Sequence, residues 1–96
     1  MSFIQIIDFH TTDVESIMKS HEKWLAATEG QRTIRRDIVA RDRNDANHYV
    51  VLAFFDSYES AMVNSALPGT QESAKEFAAA ATGAMTFLDL DIVLDD

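Results

Sequence analysis

The chain has no cysteine. That removes disulfide scaffolds, cysteine nucleophiles and thiolate metal sites. It fits a reducing compartment, and the sequence is read as that of a cytoplasmic protein. One proline and three glycines leave little room for flexible linkers. No apolar run approaches the ~20 residues that span a bilayer. The opening MSFIQIIDFH has no basic n-region and no small-residue cleavage site, so it reads as a strand and not as a leader. Basic residues are few: 8 Lys and Arg against 16 Asp and Glu give a net charge of −8. Nucleic acid and anionic membrane both require cationic surface, so neither is expected as a partner. The charge reads as solubility and mutual repulsion between molecules. The Walker loop, GxGxxG, GxSxG, HExxH and Cys-His zinc patterns are all missing.

What remains is a 96-residue chain, 47% hydrophobic, sized for one domain spanning 1–96. Its pattern centres on Asn47 to Ser65, NHYVVLAFFDSYESAMVNS, where a β-branched and aromatic run passes through a tight turn into a helix. Residues 3–10 alternate as a strand, with Phe3, Gln5, Ile7 and Phe9 on one face and Ile4, Ile6, Asp8 and His10 on the other. A helix follows over 13–28. Thr12 and Glu15 have capping-box spacing, and Val14, Ile17, Met18, His21, Trp24 or Leu25, and Thr28 form its inward stripe. Gly30 suits the left-handed position that ends it. Residues 31–42 and 48–55 read as an antiparallel hairpin around a polar turn. A second helical region starts near Ser57, with Asp56 and Glu59 or Ser57 as caps. It is interrupted at Pro68-Gly69 and resumes from Thr70 as the cap. Residues 85–94 form the last strand, whose Thr86, Leu88, Leu90, Ile92 and Leu94 share one face.

The order β-α-β-β-α-β predicts an α+β, ferredoxin-like fold: one four-stranded antiparallel sheet with two helices on one face. The first, third and fourth strands carry apolar residues on both faces. The face without helices is then too apolar for a monomer. A homodimer packed through this open sheet face is the expected remedy, with a two-fold axis as the default.

With that order, the junction Phe54-Phe55-Asp56-Ser57-Tyr58-Glu59-Ser60-Ala61-Met62, followed by Asn64-Ser65 and Pro68, resembles the dimeric α/β-barrel superfamily. More narrowly, the chain resembles its antibiotic biosynthesis monooxygenase branch over nearly its full length. The resemblance implies that two sheets close a dimeric α/β barrel and that each subunit holds a pocket between sheet and helices. Some members oxidise polycyclic aromatic compounds with O2 and no cofactor, others degrade haem, and many have no known activity. Haem-degrading members carry a tryptophan near the third strand and a haem-ligating histidine in the second helical region. Here Phe55 stands at the strand position, and Gly69, Thr70, Gln71 and Glu72 supply no histidine. Both departures speak against haem degradation.

The candidate catalytic residues are His21, Asn64 and Tyr58. His21 lies in an apolar stripe and has a pKa suited to proton transfer, or else is a structural histidine. Asn64 is costly to bury without a partner. It bonds carbonyls freed at the Pro68 break, or it reaches the pocket. Tyr58 can donate to a substrate carbonyl. Trp24, Phe55, Phe77 and Phe87 are the candidate substrate-binding aromatics, with ordinary core packing as the alternative. His10, His48 and Asp8 are expected close together, but their spacing has no metal signature, and neither metal nor organic cofactor is expected. Arg35, Arg36, Asp37, Arg41, Asp42 and Arg43 read as a solvated or interface face, with Arg36 as a partner for Asp89 or Asp91 on another strand or across a dimer. Two functions stay open: a cofactor-independent monooxygenase acting on a small aromatic or enolisable compound, and a non-catalytic dimer that binds a small aromatic ligand or is purely structural.

Overall fold

The computed structural model describes residues 2–96. Among these the elements run β1 (Phe3–His10), α1 (Val14–Ala27), β2 (Arg36–Arg41), β3 (His48–Phe55), α2 (Tyr58–Ala66), α3 (Pro68–Ala80) and β4 (Thr86–Asp91). The strands pair antiparallel in the order β2-β3-β1-β4. This is the ferredoxin-like βαββαβ arrangement, with the second helical region split in two.

The split falls at Leu67, one residue before the expected place. Leu67 is extended (φ −63°, ψ 136°) and caps α3 without a side-chain bond, while Pro68 opens the helix. Proline fits there because its missing N–H would have no helical partner anyway. Thr70 is therefore free of capping duty. Gly69 lets the start of α3 approach α1: a Cβ there would stand 2.9 Å from Thr28 Cγ2 and 3.0 Å from Ala27 Cβ. The other helix starts also differ in detail. Asp13, not Thr12, caps α1 by accepting from the Ser16 N–H. Ser57 caps α2 in a capping box with Ser60.

Both outer strands are shorter than the sequence pattern. β2 starts only at Arg36 because the preceding backbone is committed elsewhere. The Thr33 N–H donates to Asn64 Oδ1, and its hydroxyl donates to the Ser60 carbonyl on α2. β4 stops at Asp91 because its partner begins at Phe3, and one further bond, Ile92 N–H to Ser2 O, ends the pairing. Val93 and Leu94 then project into solvent.

The register sorts the sheet into two faces. Phe3, Gln5, Ile7 and Phe9 lie opposite Phe55, Ala53, Val51 and Tyr49 on the face that carries the helices. Asp37 and Val39 of β2 and Phe87 and Asp89 of β4 join them. The other face presents Ile4 and Ile6, Val50, Leu52 and Phe54, Ile38, and Leu88 and Leu90. No helix of the described residues covers it.

The core under the helices is in two pieces. At one end Phe3, Ala53, Phe55 and Ala61 pack with Ile34 and Met62. At the other, Phe9, Ile17, Tyr49 and Val51 pack with Val14, Val39, Phe77 and Met85. The α1 stripe contributing to this core is narrower than its periodicity suggests. Ile17, Ser20 and Trp24 are buried, whereas Met18 and Leu25 face solvent. No helix of the described residues is long and apolar enough to cross a membrane.

Candidate functional site

A cavity of about 420 Å³ lies between the sheet and the helices, bordered by both core clusters. Its volume falls within the ~300–1,000 Å³ of ordinary ligand sites. Small side chains leave this space. Ala53 sits in the middle of β3, and Ala74 and Ala78 occupy the facing turns of α3. Larger residues at those positions would join the two clusters into one continuous core.

Six of the seven residues singled out from the sequence line this cavity: His21, Trp24, Phe55, Asn64, Phe77 and Phe87. Tyr58 does not. It is the first residue of α2, half exposed, and its ring meets Phe3 edge-on with centroids 5.6 Å apart. The helix start that makes Tyr58 conspicuous in the sequence also places it beyond the sheet end and away from the cavity.

His21 and Trp24 are one helical turn apart on α1, with ring centroids separated by 5.4 Å. The Trp24 Nε1–H donates to Thr70 Oγ1 at 2.9 Å, which fixes the indole plane against α3. The Arg32 guanidinium lies 5.4 Å from the Trp24 ring centroid, within cation–π range. Asn64 is buried on α2. Its Oδ1 accepts from the Thr33 N–H at 3.3 Å, and a backbone donor there settles which amide atom is the oxygen. The carbonyl released near the Pro68 break is that of Asn64 itself, and it accepts from the Leu67 N–H. The side-chain amide thus ties α2 to the segment before β2, and its NH2 group remains available to a ligand.

Asp37 is a site residue that the sequence pattern does not single out. Among the charges around the hairpin it reads as solvated. The register instead turns it to the helix-bearing face, where it lines the cavity with its Oδ2 3.6 Å from His21 Nδ1. That separation is too long for a hydrogen bond. Burial pushes the Asp37 carboxyl above its ordinary value, partly offset by His21. The alternation of β2 holds the signal: Asp37 and Val39 share a face, and Val39 is a core residue. Arg36 points to the opposite face, and β2 and β4 lie at opposite edges of the sheet, so Arg36 cannot reach Asp89 or Asp91 within one chain. Asp89 accepts from Gln5 instead.

His10 and His48 come together as the strand order requires, with rings stacked at 4.6 Å. His48 is clamped on both sides. Its Nε2 lies 2.8 Å from Asp8 Oδ1, and its Nδ1 lies 2.8 Å from Asp42 Oδ2. Two carboxylate acceptors raise the His48 pKa, Asp42 more than Asp8. When the ring is protonated both nitrogens donate, and the three side chains form an ion-pair clasp. No group of three or more described His, Asp or Glu side chains is arranged to hold a metal ion.

The sequence matches no protein-family model and no curated protein. Many solved structures do match in shape. An antibiotic biosynthesis monooxygenase superposes with a TM-score of 0.77 at 14% identity, covering 98% of this chain and 100% of the other. A variant of SnoaB, a cofactor-independent oxygenase from Streptomyces nogalater, gives 0.78 at 17% identity, with 99% and 97% covered. A conserved protein from Methanosarcina mazei Go1 gives 0.81 at 9% identity, with 96% and 94% covered. Identities this low establish shape and leave the reaction open, since one fold hosts many activities. The chain has the fold of the antibiotic biosynthesis monooxygenases.

Proposed function

We propose that the protein is a cofactor-independent monooxygenase acting on a small, enolisable aromatic compound held in this cavity. The observation that carries the reading is the convergence of His21 and Asn64 on one aromatic-walled space of about 420 Å³. Trp24, Phe55, Phe77 and Phe87 offer flat apolar surface to a fused-ring ligand. His21 takes a proton from an acidic ring methylene or hydroxyl of the substrate. The Asn64 NH2 donates to the oxygen on which the resulting negative charge collects. The electron-rich anion passes one electron to O2, and the radical pair joins to form a C–O bond. His21 returns its proton to the peroxide, and loss of water leaves a carbonyl. In balance, one substrate methylene and one O2 become one carbonyl and one water. The substrate supplies every electron, so no cofactor is required. Tyr58 has no part in this scheme.

The test is O2 uptake with a tricyclic aryl ketone bearing an enolisable methylene, using 18O2 to follow the oxygen. One labelled oxygen per product supports the reading. His21→Ala is expected to lower the rate by roughly 10²- to 10⁴-fold, and Asn64→Ala by roughly 10²- to 10³-fold. Tight binding without O2 uptake would instead make the protein a non-catalytic small-ligand binder.

We also infer that two copies pair through the open face of Ile4, Ile6, Leu52, Phe54, Leu88 and Leu90, closing a dimeric α/β barrel. The support is physical: a continuous apolar sheet face of this kind is seldom left in water.

A further inference from the structure

The cavity wall carries an acid and no cation. Asp37 lines it beside His21, and neither lysine nor arginine is among the lining residues. The Arg32 guanidinium, which stands over Trp24, is outside the lining. It donates to the Leu25 carbonyl at 2.7 Å and toward Thr28 Oγ1. The remaining polar groups on the wall, those of Gln5, Asn64, Thr70 and Ser73, are uncharged. We propose that the His21–Asp37 pair restricts the cavity to uncharged aromatic ligands that bring a transferable proton, as a hydroxyl or an enolisable methylene, and turns carboxylated analogues away. This deepens the proposed reaction and takes its choice of ligand from it.

The reason is a charge balance. A general base must start as the free imidazole, and beside it the Asp37 carboxylate gives the empty pair one negative charge. A neutral acid that enters and gives its proton to His21 leaves an anionic ligand, an imidazolium and a carboxylate, so the total is unchanged. The new anion faces the new imidazolium, and that imidazolium is already paired with Asp37. A ligand that arrives as an anion brings no proton. It adds a second uncompensated negative charge to a partly desolvated space. Asp37 itself already feels this environment, because burial disfavours its charged form. At separations of about 10 Å and the effective dielectric of a partly buried site, one such repulsion corresponds to roughly tenfold in affinity. Asp37 acts here through its charge, 3.6 Å from His21, as a positioning residue.

Trp24 gives a direct readout. It is the one tryptophan of the chain and lies on the cavity wall, so its fluorescence reports occupancy. The probes are a hydroxylated tricyclic aromatic ketone and the same compound bearing a carboxylate, titrated near neutral pH under anaerobic conditions. The neutral compound is expected to bind at least about tenfold more tightly. Asp37→Asn should shrink that gap to about threefold or less by improving binding of the carboxylate. The variant should fold, because the charge it removes is disfavoured by burial, and a thermal melt checks this. Asp37→Ser is the second variant if asparagine perturbs the fold. Equal affinities in the wild type, a gap unchanged by removing the carboxylate, or failure of both compounds to bind would each overturn the proposal. Binding and turnover are read separately. Discrimination without O2 uptake sinks the oxygenase reading and leaves this one standing, and O2 uptake without discrimination does the reverse.

Discussion

The two faces of the sheet solve the same packing problem in opposite ways. The helix-bearing face has its cover, yet the cover does not fill it: two core clusters stop short of each other around a cavity. The open face has no cover, yet Ile4, Ile6, Leu52, Phe54, Leu88 and Leu90 make it continuously apolar. Polar chemistry is distributed in step with this. The covered face holds Asp37 and His21 at the cavity. The open face keeps its charge at its ends, with Arg36 at one and the Asp8, Asp42 and His48 clasp at the other. A hollow under the helices is a place for a small molecule, and a full apolar face is a place for another sheet. Apolar surface alone therefore does not say which side of a sheet is functional. The arrangement of small and titratable residues is what supports the proposed site.

The strongest way to break this contrast is to charge the open face. Leu52→Asp would place a carboxylate at the centre of the proposed sheet-to-sheet contact. An unpaired charge buried there costs several kcal/mol, so the dimer should form only at concentrations on the order of 10³-fold higher, or not at all. Light scattering on the eluting protein reads the outcome directly. A wild-type chain that is already monomeric would refute the dimer, and the apolar face would then need another explanation.

Next in size is a pair of substitutions within the covered face. Phe9 is 1% exposed and sits inside a cluster, whereas Phe87 is 59% exposed and stands on the cavity wall. Phe9→Ala should lower stability by about 3–5 kcal/mol in chemical denaturation. Phe87→Ala should cost under about 1 kcal/mol but weaken ligand binding. Equal destabilisation would mean that the cavity is closed by Phe87 and is not an open site.

The smallest effect concerns the clasp. His48 is held above its ordinary value of 6.5 by Asp42 and Asp8. The folded state thus binds this proton more tightly than the unfolded one. The stability it contributes is fully present below 6.5 and is lost as pH rises through the elevated folded value. On the acid side Asp42 is held below 3.8, so its contribution is lost only as pH falls through that lowered value. Between these limits wild type should melt above His48→Gln, and the difference should close toward alkaline pH. A gap that widens with rising pH would show that the clasp is not the source. His10, stacked on His48 and 3.5 Å from Asp45, is the neighbouring imidazole to replace as a control.

Much of the architecture is legible in the residues because local physics sets it. The alternation of Phe3 to His10 and of His48 to Phe55 fixes two adjacent strands and their faces. Ser57 marks a helix start that local hydrogen bonding requires, whereas Gly30 takes its φ of +77° two residues beyond Thr28, which caps the end of α1. The outer strands are less legible. Thr33 has strand character, but its backbone bonds to α2, which lies about thirty residues further on in the chain. The site is legible in part. Histidine, asparagine and aromatics stand out by type, and helical spacing puts His21 and Trp24 on one side. Tyr58 stands out equally and lies elsewhere. Asp37 is hidden because a charged residue between arginines looks solvated until the register of β2 against β3 is known.

The order of elements, the two apolar faces and the residues available for chemistry follow from the chain alone. Periodicity, capping and turn propensity act over a few residues and are written in the chain directly. Long-range contacts decide that Ala53, Ala74 and Ala78 meet across empty space, that Asp37 joins His21, and that Asn64 lines the cavity while its side-chain oxygen accepts from Thr33. These outcomes depend on strand register and helix docking, which are set by contacts between residues far apart in sequence. A one-residue slip of β2 would have turned Asp37 to the open face and left the cavity without its acid.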